Sequence, residues 1–486
     1  MRGGRAGVAA ALVAVLCGVG GLAACERHNG TAQPSPGVPG SVAAPGEFSP
    51  GAAGIGDPYF PAYGNGGYDV AHYHLEIRYN PSDGRLDGYA VITASATQDL
   101  NRFNLDFSQL AVSELTVDGA PAGWKPDGEH ELVVTPAAGL AKGREFTVAV
   151  RYSGVPGKGK KVGDDGFVRT TDGAVVAGEP EAATDWFPVN DHPRDKATYD
   201  LAVTVPDGLS AVANGILDGS SSDAGWTTWR WSEHAPMASY LATVAIGHFR
   251  VVSDVHNGLP VYTAVAASLP ADKIDPVVAR TPEIVDFLAT QFGPYPFDAM
   301  GAIVPDLALD FALETQTRPV YAPRFFTTNS GADPSTILAH ELAHQWYGDS
   351  VSVQNWRDIW LNEGFATYAE WLWDEHRGRR SVGASFDAAY SASSTSQVWR
   401  PAPGDPGADH LFGGSVYQRG AMTLQALRVA VGDTAFFTIL RSWAQEKRFG
   451  NASTAEFSSL AERVAGRPLK TLFDTWLFSE AKPAHP

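Results

Sequence analysis

The chain has 486 residues, with 36 Lys and Arg against 54 Asp and Glu, a formal net charge of −18 at pH 7. So acidic a surface disfavours nucleic acid and anionic lipid headgroups as partners. The only two cysteines are Cys17 and Cys25, which leaves no disulfide framework; a chain this long can bury enough surface to do without one.

Arg2 and Arg5 precede an apolar run at 6–16, and Leu22-Ala23-Ala24-Cys25 reads as a lipobox. The expectation is a lipoprotein signal peptide over 1–24, with Cys25 lipidated and the protein exported to the extracytoplasmic face of a bacterial cell membrane, held there or released. An uncleaved anchor or an ordinary secretory signal are the other readings of the same run. Residues 25–56, rich in Pro, Gly, Ala and Ser, read as a disordered tether. From Asp69 the hydrophobic period is two. Segments 72–79, 88–96, 145–152 and 199–205 alternate or are β-rich, with Pro/Gly/Asp turns between, so 57–252 is expected to be an antiparallel β domain. His72 and His74 share a strand face there and read as surface residues.

Beyond about Val255 the period turns helical, and 253–486 is expected to be a mostly helical domain. The overall class is therefore α+β. Residues 279–292 form an amphipathic pattern closed by Gly293-Pro294. Further helices are expected at 420–431, 434–447 and 454–464, with a short tail at 470–478.

Between these lies the most informative stretch, His340-Glu341-Leu342-Ala343-His344. Two imidazoles four apart on a helix fall on one face, about 6 Å and roughly 40° apart, so both can grip one metal ion. Glu341 between them cannot be a third ligand but can reach a water on the metal. This is the pattern of a zinc hydrolase with a glutamate general base. Asp333 suits an N-cap, Pro334 the first helical position and Gly348 a stop. A second helical stretch, 358–370, brings Glu363 nineteen residues after His344 as third ligand. Two His and one Glu leave the fourth zinc position open, as in a catalytic site. Glu370, two turns beyond Glu363, could orient a ligand or lie on the helix surface.

H-E-L-A-H-Q-W-Y-G followed by W-L-N-E-G-F-A-T-Y resembles the M1 metallopeptidases, the gluzincin family of aminopeptidase N and leukotriene A4 hydrolase. The resemblance implies one zinc ion per chain in a thermolysin-like catalytic domain, and a β domain ahead of it. The family's large C-terminal helical domain is expected to have no counterpart in this chain. It implies that Tyr417, in Tyr417-Gln418-Arg419-Gly420-Ala421, stabilises the oxyanion. It implies that Glu314 holds the substrate's N-terminal ammonium, on a strand where Ala312 and Leu313 meet the peptide backbone. In that strand Phe311 stands for the family's Gly and Thr315 for its Asn. Glu179, ahead of Phe187-Pro188, takes the second anchor position, with Glu181 as fallback. The function implied is an aminopeptidase acting on peptides. A thermolysin-like endopeptidase, or an inactive peptide-binding surface lipoprotein, are the alternatives.

Overall fold

A computed structural model describes residues 47–157, 166–328 and 333–486. The expected signal segment, Cys25 and the first part of the expected tether lie outside the described residues. The tether expected to reach 56 gives way earlier. Ser49–Pro50 pairs in parallel with the strand Leu100–Asp106, and Ile55 O accepts from the Arg194 guanidinium at 2.8 Å.

The alternation read from Asp69 belongs to a 13-residue strand, Tyr68–Asn80. It turns Tyr73, Leu75, Ile77 and Tyr79 into the core and leaves His72 and His74 half-buried on the other face. His72 bonds Thr198 and His74 reaches Glu76, so both remain surface residues. This strand sits inside an eight-stranded sheet in the order Ile216–Asp223, Trp226–Ala238, Lys196–Pro206, Tyr68–Asn80, Arg85–Ala96, Glu145–Gly154, Ala111–Val117 and Ala120–Pro121. The pairings are antiparallel except one. Lys196–Pro206 runs parallel to Tyr68–Asn80, a long-range pairing that no hairpin signal announces.

The boundary expected at 252/253 falls inside a strand. Phe249–His256 pairs with Leu259–Ala266 and through it joins a five-stranded sheet that also contains Met300–Val304, Val320–Tyr321 and, at one edge, Ala312–Leu313. The junction therefore lies ahead of Phe249. The loop at 190–196 fastens the two parts. Arg194 donates to Gln354 O, and the buried Lys196 ammonium donates to the carbonyls of Asp349 and Ser350 at 2.6 and 3.1 Å.

Helices follow the expected order. Thr281–Phe292 ends at Gly293 with φ 98°; Gly420–Val431 packs along Trp360–His376, and Asp433–Glu446 and Thr454–Ala465 reach that helix through the ring pairs Phe436–Tyr368 and Phe457–Phe365. Among the described residues, no helix is long and apolar enough to cross a membrane.

Candidate metal centre and active site

The motif helix is Ser335–His344. It starts two residues after Asp333, whose Oδ1 accepts from Ser335 N and Oγ at 2.9 and 2.8 Å. Pro334 rather than Asp333 occupies the cap. Both histidines are buried, with ring centroids 4.9 Å apart. Trp360–His376 crosses beside them and supplies Glu363 from its first turn.

Hydrogen bonding fixes the ring tautomers. His340 donates Nδ1–H to Glu370 Oε1 at 2.6 Å, and His344 donates Nδ1–H to the Tyr347 carbonyl at 3.1 Å. Each Nε2 is then left with a lone pair. Both lone pairs face the same oxygen, Glu363 Oε2, at 3.2 and 3.5 Å. One ligand atom from each of the three residues lies within 4.8 Å of the others. Three acceptors converging with no donor between them require a cation, and two imidazoles with a carboxylate suit zinc. Without the metal, protons take its place. Burial lowers the His344 pKa, but Glu314 and Glu363 outweigh it and push the ring up to about 9. Burial raises Glu363, but His344 and His340 outweigh it and hold the carboxylate at about 2. Glu370 is thus the residue that orients His340, as such outer partners commonly do.

Glycines set the approach of the backbone. Gly348 has φ 135°, and a Cβ there would stand 3.2 Å from His344 Nδ1. Gly364 and Gly420 meet face to face: a Cβ on either would come within 3 Å of the other's backbone. That contact seats the turn carrying Tyr417 against the helix carrying Glu363. The turn, Ser415–Arg419, is π-helical, a wide form often found at functional sites. The Tyr417 ring lies parallel to His340, centroids 5.9 Å apart.

These residues line a cavity of about 520 Å³ with Glu179, Ala312, Leu313, Glu314, Phe325, Ile337 and Phe412. All nine residues expected at the site are therefore brought together; Glu181 is not among the lining residues. The cavity holds Glu179, Glu314, Glu341, Glu363 and Glu370, and among the described residues no Lys or Arg lines it. The crowding shows in the carboxyl groups. Burial, with Glu314 and Glu363 next, drives Glu179 well above its ordinary range. Burial raises Glu314 and lifts Glu341 to about 8 against the pull of His340 and His344. Glu314 Oε1 accepts from Tyr240 OH at 3.2 Å. Sequence reasoning missed Tyr240 and the apolar wall of Phe325, Ile337 and Phe412, which carry no motif. A slightly larger groove, about 590 Å³, runs over the eight-stranded sheet, but among the described residues no ligand set for an ion lies there.

The Peptidase M1 N-terminal domain model matches residues 70–241, and the Peptidase family M1 domain model matches residues 280–476. The chain belongs to peptidase family M1. It is similar to an M1 zinc metallopeptidase from Deinococcus radiodurans, with 30% identity and a TM-score of 0.80, covering 89% of this chain and 99% of that one. A mutant of that enzyme bound to a Tyr-Ser-Ala substrate matches with a TM-score of 0.77 and 30% identity, covering 89% of this chain and 98% of that one. Among curated relatives, Aminopeptidase M1-D of Oryza sativa subsp. japonica is 26% identical over 85% of this chain and 50% of its own length. Glutamyl aminopeptidase of Rattus norvegicus is 25% identical over 83% and 46%. The chain spans about half the length of the curated relatives it matches, and nearly all of the Deinococcus chain.

Proposed function

We propose that this M1 peptidase is a zinc-dependent aminopeptidase that removes N-terminal residues from peptides. The observation that carries the reading is the acidic cavity, in which Glu314 and Glu179 stand beyond the metal triad and, among the described residues, no lysine or arginine lines the wall. A free peptide N-terminus supplies the missing positive charge; a blocked peptide does not. Zinc held by His340, His344 and Glu363 supplies a Lewis acid that makes water a nucleophile near neutral pH. Glu341 takes the proton from the attacking water and returns it to the leaving amine. Its pKa is raised to about 8 in the protein alone; a cation held by the triad would favour the charged form and so would leave it a base. Tyr417 donates its hydroxyl to the oxygen on which negative charge develops. Ala312–Leu313 is an edge strand, so its outer side can take an extended peptide backbone.

Comparing free and N-acetylated peptides tests this reading. Glu314→Ala should abolish the preference for a free N-terminus while leaving zinc bound. If the wild-type enzyme cleaves both peptides equally, the ammonium anchor is wrong and the endopeptidase reading takes its place. We also propose that the protein is exported and anchored through Cys25, a reading supported by the lipobox sequence alone. Cys25→Ala should move the protein from the membrane fraction to the soluble extracytoplasmic fraction; retention in the membrane refutes anchoring by that residue.

A further inference from the structure

Away from the catalytic cavity, one cluster, buried at Asp106 and half-buried at His130 and Glu131, is rich in hydrogen-bond acceptors. Leu100–Asp106 pairs antiparallel with Glu131–Thr135, and the register sets Asp106 opposite Glu131. His130 leads into the second strand. One ligand atom from each of Asp106, His130 and Glu131 lies within 4.8 Å of the others.

Asp106 is fully buried. Its Oδ2 accepts from Asn65 Nδ2 at 3.1 Å and from Asp191 N at 2.8 Å; its Oδ1 makes no hydrogen bond of normal geometry, although the Gly64 amide lies near enough to favour the charge. Both Glu131 oxygens are shut away from solvent and make no hydrogen bond of normal geometry, although the Asn104 amide lies near enough to favour their charge. Asn65 is fully buried, and its Oδ1 is also unpartnered. His130 donates Nε2–H to Ala62 O at 2.9 Å, because a carbonyl can only accept, so the neutral ring keeps a lone pair on Nδ1. Among the described residues, no Lys or Arg forms an ion pair with Asp106 or Glu131.

Buried carboxylates this close need either protons or a cation. We infer that Asp106, Glu131 and His130 form a second metal site, for a hard divalent cation of the Ca²⁺ or Mn²⁺ class. Carboxylate and carbonyl oxygens suit such ions, and one imidazole is compatible with Mn²⁺. Ca²⁺–oxygen bonds of about 2.3–2.6 Å allow ligand atoms of one ion to stand up to about 5 Å apart, so three ligand atoms within 4.8 Å of one another can share one such ion.

The ion's role is positional. Asp106 holds Asp191 through the backbone, Asp191 Oδ1 accepts from Ser239 OH at 2.6 Å, and Ser239 precedes Tyr240, which donates to Glu314. A cation here fixes the strand ends behind the proposed ammonium anchor.

The test uses the full chain with zinc in place. After weakly held ions are dialysed away, it is titrated with CaCl₂ and, separately, MnCl₂, and metal per chain is counted by plasma mass spectrometry. The expected result is one equivalent of Ca²⁺ or Mn²⁺ bound below about 1 mM, the range of extracellular calcium modules, with zinc content unchanged. Asp106→Asn combined with Glu131→Gln should lose that equivalent and keep the zinc. Glu131→Gln alone, at a half-buried position, should lower affinity at least about 10-fold and decides the matter if the double variant fails to fold. No saturable binding of either ion to wild type, or equal binding by wild type and Glu131→Gln, overturns the site.

Discussion

Asp57 offers a stability prediction that can be worked through from its contacts. Its Oδ2 accepts from His192 Nε2 at 3.1 Å and Trp356 N at 2.9 Å, and its Oδ1 accepts from Tyr59 N and Phe60 N at 2.8 and 3.1 Å. His192 Nδ1 accepts from Arg194 N, so Nε2 carries the proton and must donate. All four neighbours of the carboxylate are therefore donors. Burial of Asp57 raises its pKa, but His192 and the three backbone N–H groups outweigh it and hold the carboxyl at about 2, against 3.8 for a free Asp. A folded-state pKa below the unfolded value means stability that is fully present above pH 3.8 and is lost as pH falls toward 2. The difference corresponds to about 2 kcal/mol at pH 7 and about 1 kcal/mol at pH 3. His192 is likewise held below its ordinary pKa, by burial first, so its neutral form adds a second acid-sensitive contribution that fades below pH 6.5. Asp57→Asn puts an amide N–H against two donors whichever way it faces. It should cost about 2–4 kcal/mol at pH 7 and noticeably less at pH 3. Urea unfolding of both proteins at the two pH values measures this. A cost under 1 kcal/mol at pH 7, or one that does not shrink at pH 3, refutes the clamp.

The catalytic residues give further expectations. Glu341→Gln should retain zinc by metal analysis and lose about 10²–10⁴ in kcat; near-normal turnover would remove the general-base assignment. Tyr417→Phe should lower kcat by about 10²–10³ with KM little changed, and a change confined to KM would make it a packing residue. Glu370→Gln should weaken zinc binding about 10–100-fold in chelator competition, because His340 loses its charged partner; unchanged affinity would place Glu370 outside the site. Gly420→Ala should destabilise the fold by about 1–3 kcal/mol in thermal melts and reduce kcat, since Gly364 lies against it; a silent substitution would mean that the two helices can part without moving Tyr417.

The sequence by itself determined the parts of this protein whose signal is local. Helical spacing alone put His340 and His344 on one face; the three helices from Gly420 on were legible within a residue, and the alternating core of the strand Tyr68–Asn80 was legible though its first residues were not, because periodicity reports which side meets the core. Resemblance to a family added Tyr417, Glu314 and Glu179, whose spacing to the metal carries no physical signal along the chain. Tertiary structure alone decided what depends on distant residues. The parallel pairing of Lys196–Pro206 with Tyr68–Asn80 joins strands more than a hundred positions apart. The junction ahead of Phe249 follows from a strand joining a sheet whose other members come later. The proton arrangement that leaves both histidine Nε2 atoms facing Glu363 needed Glu370 and Tyr347 in place. Likewise, Asp106 and Glu131 look like ordinary acidic residues in the sequence, and only strand register sets their carboxylates against each other in a dry interior.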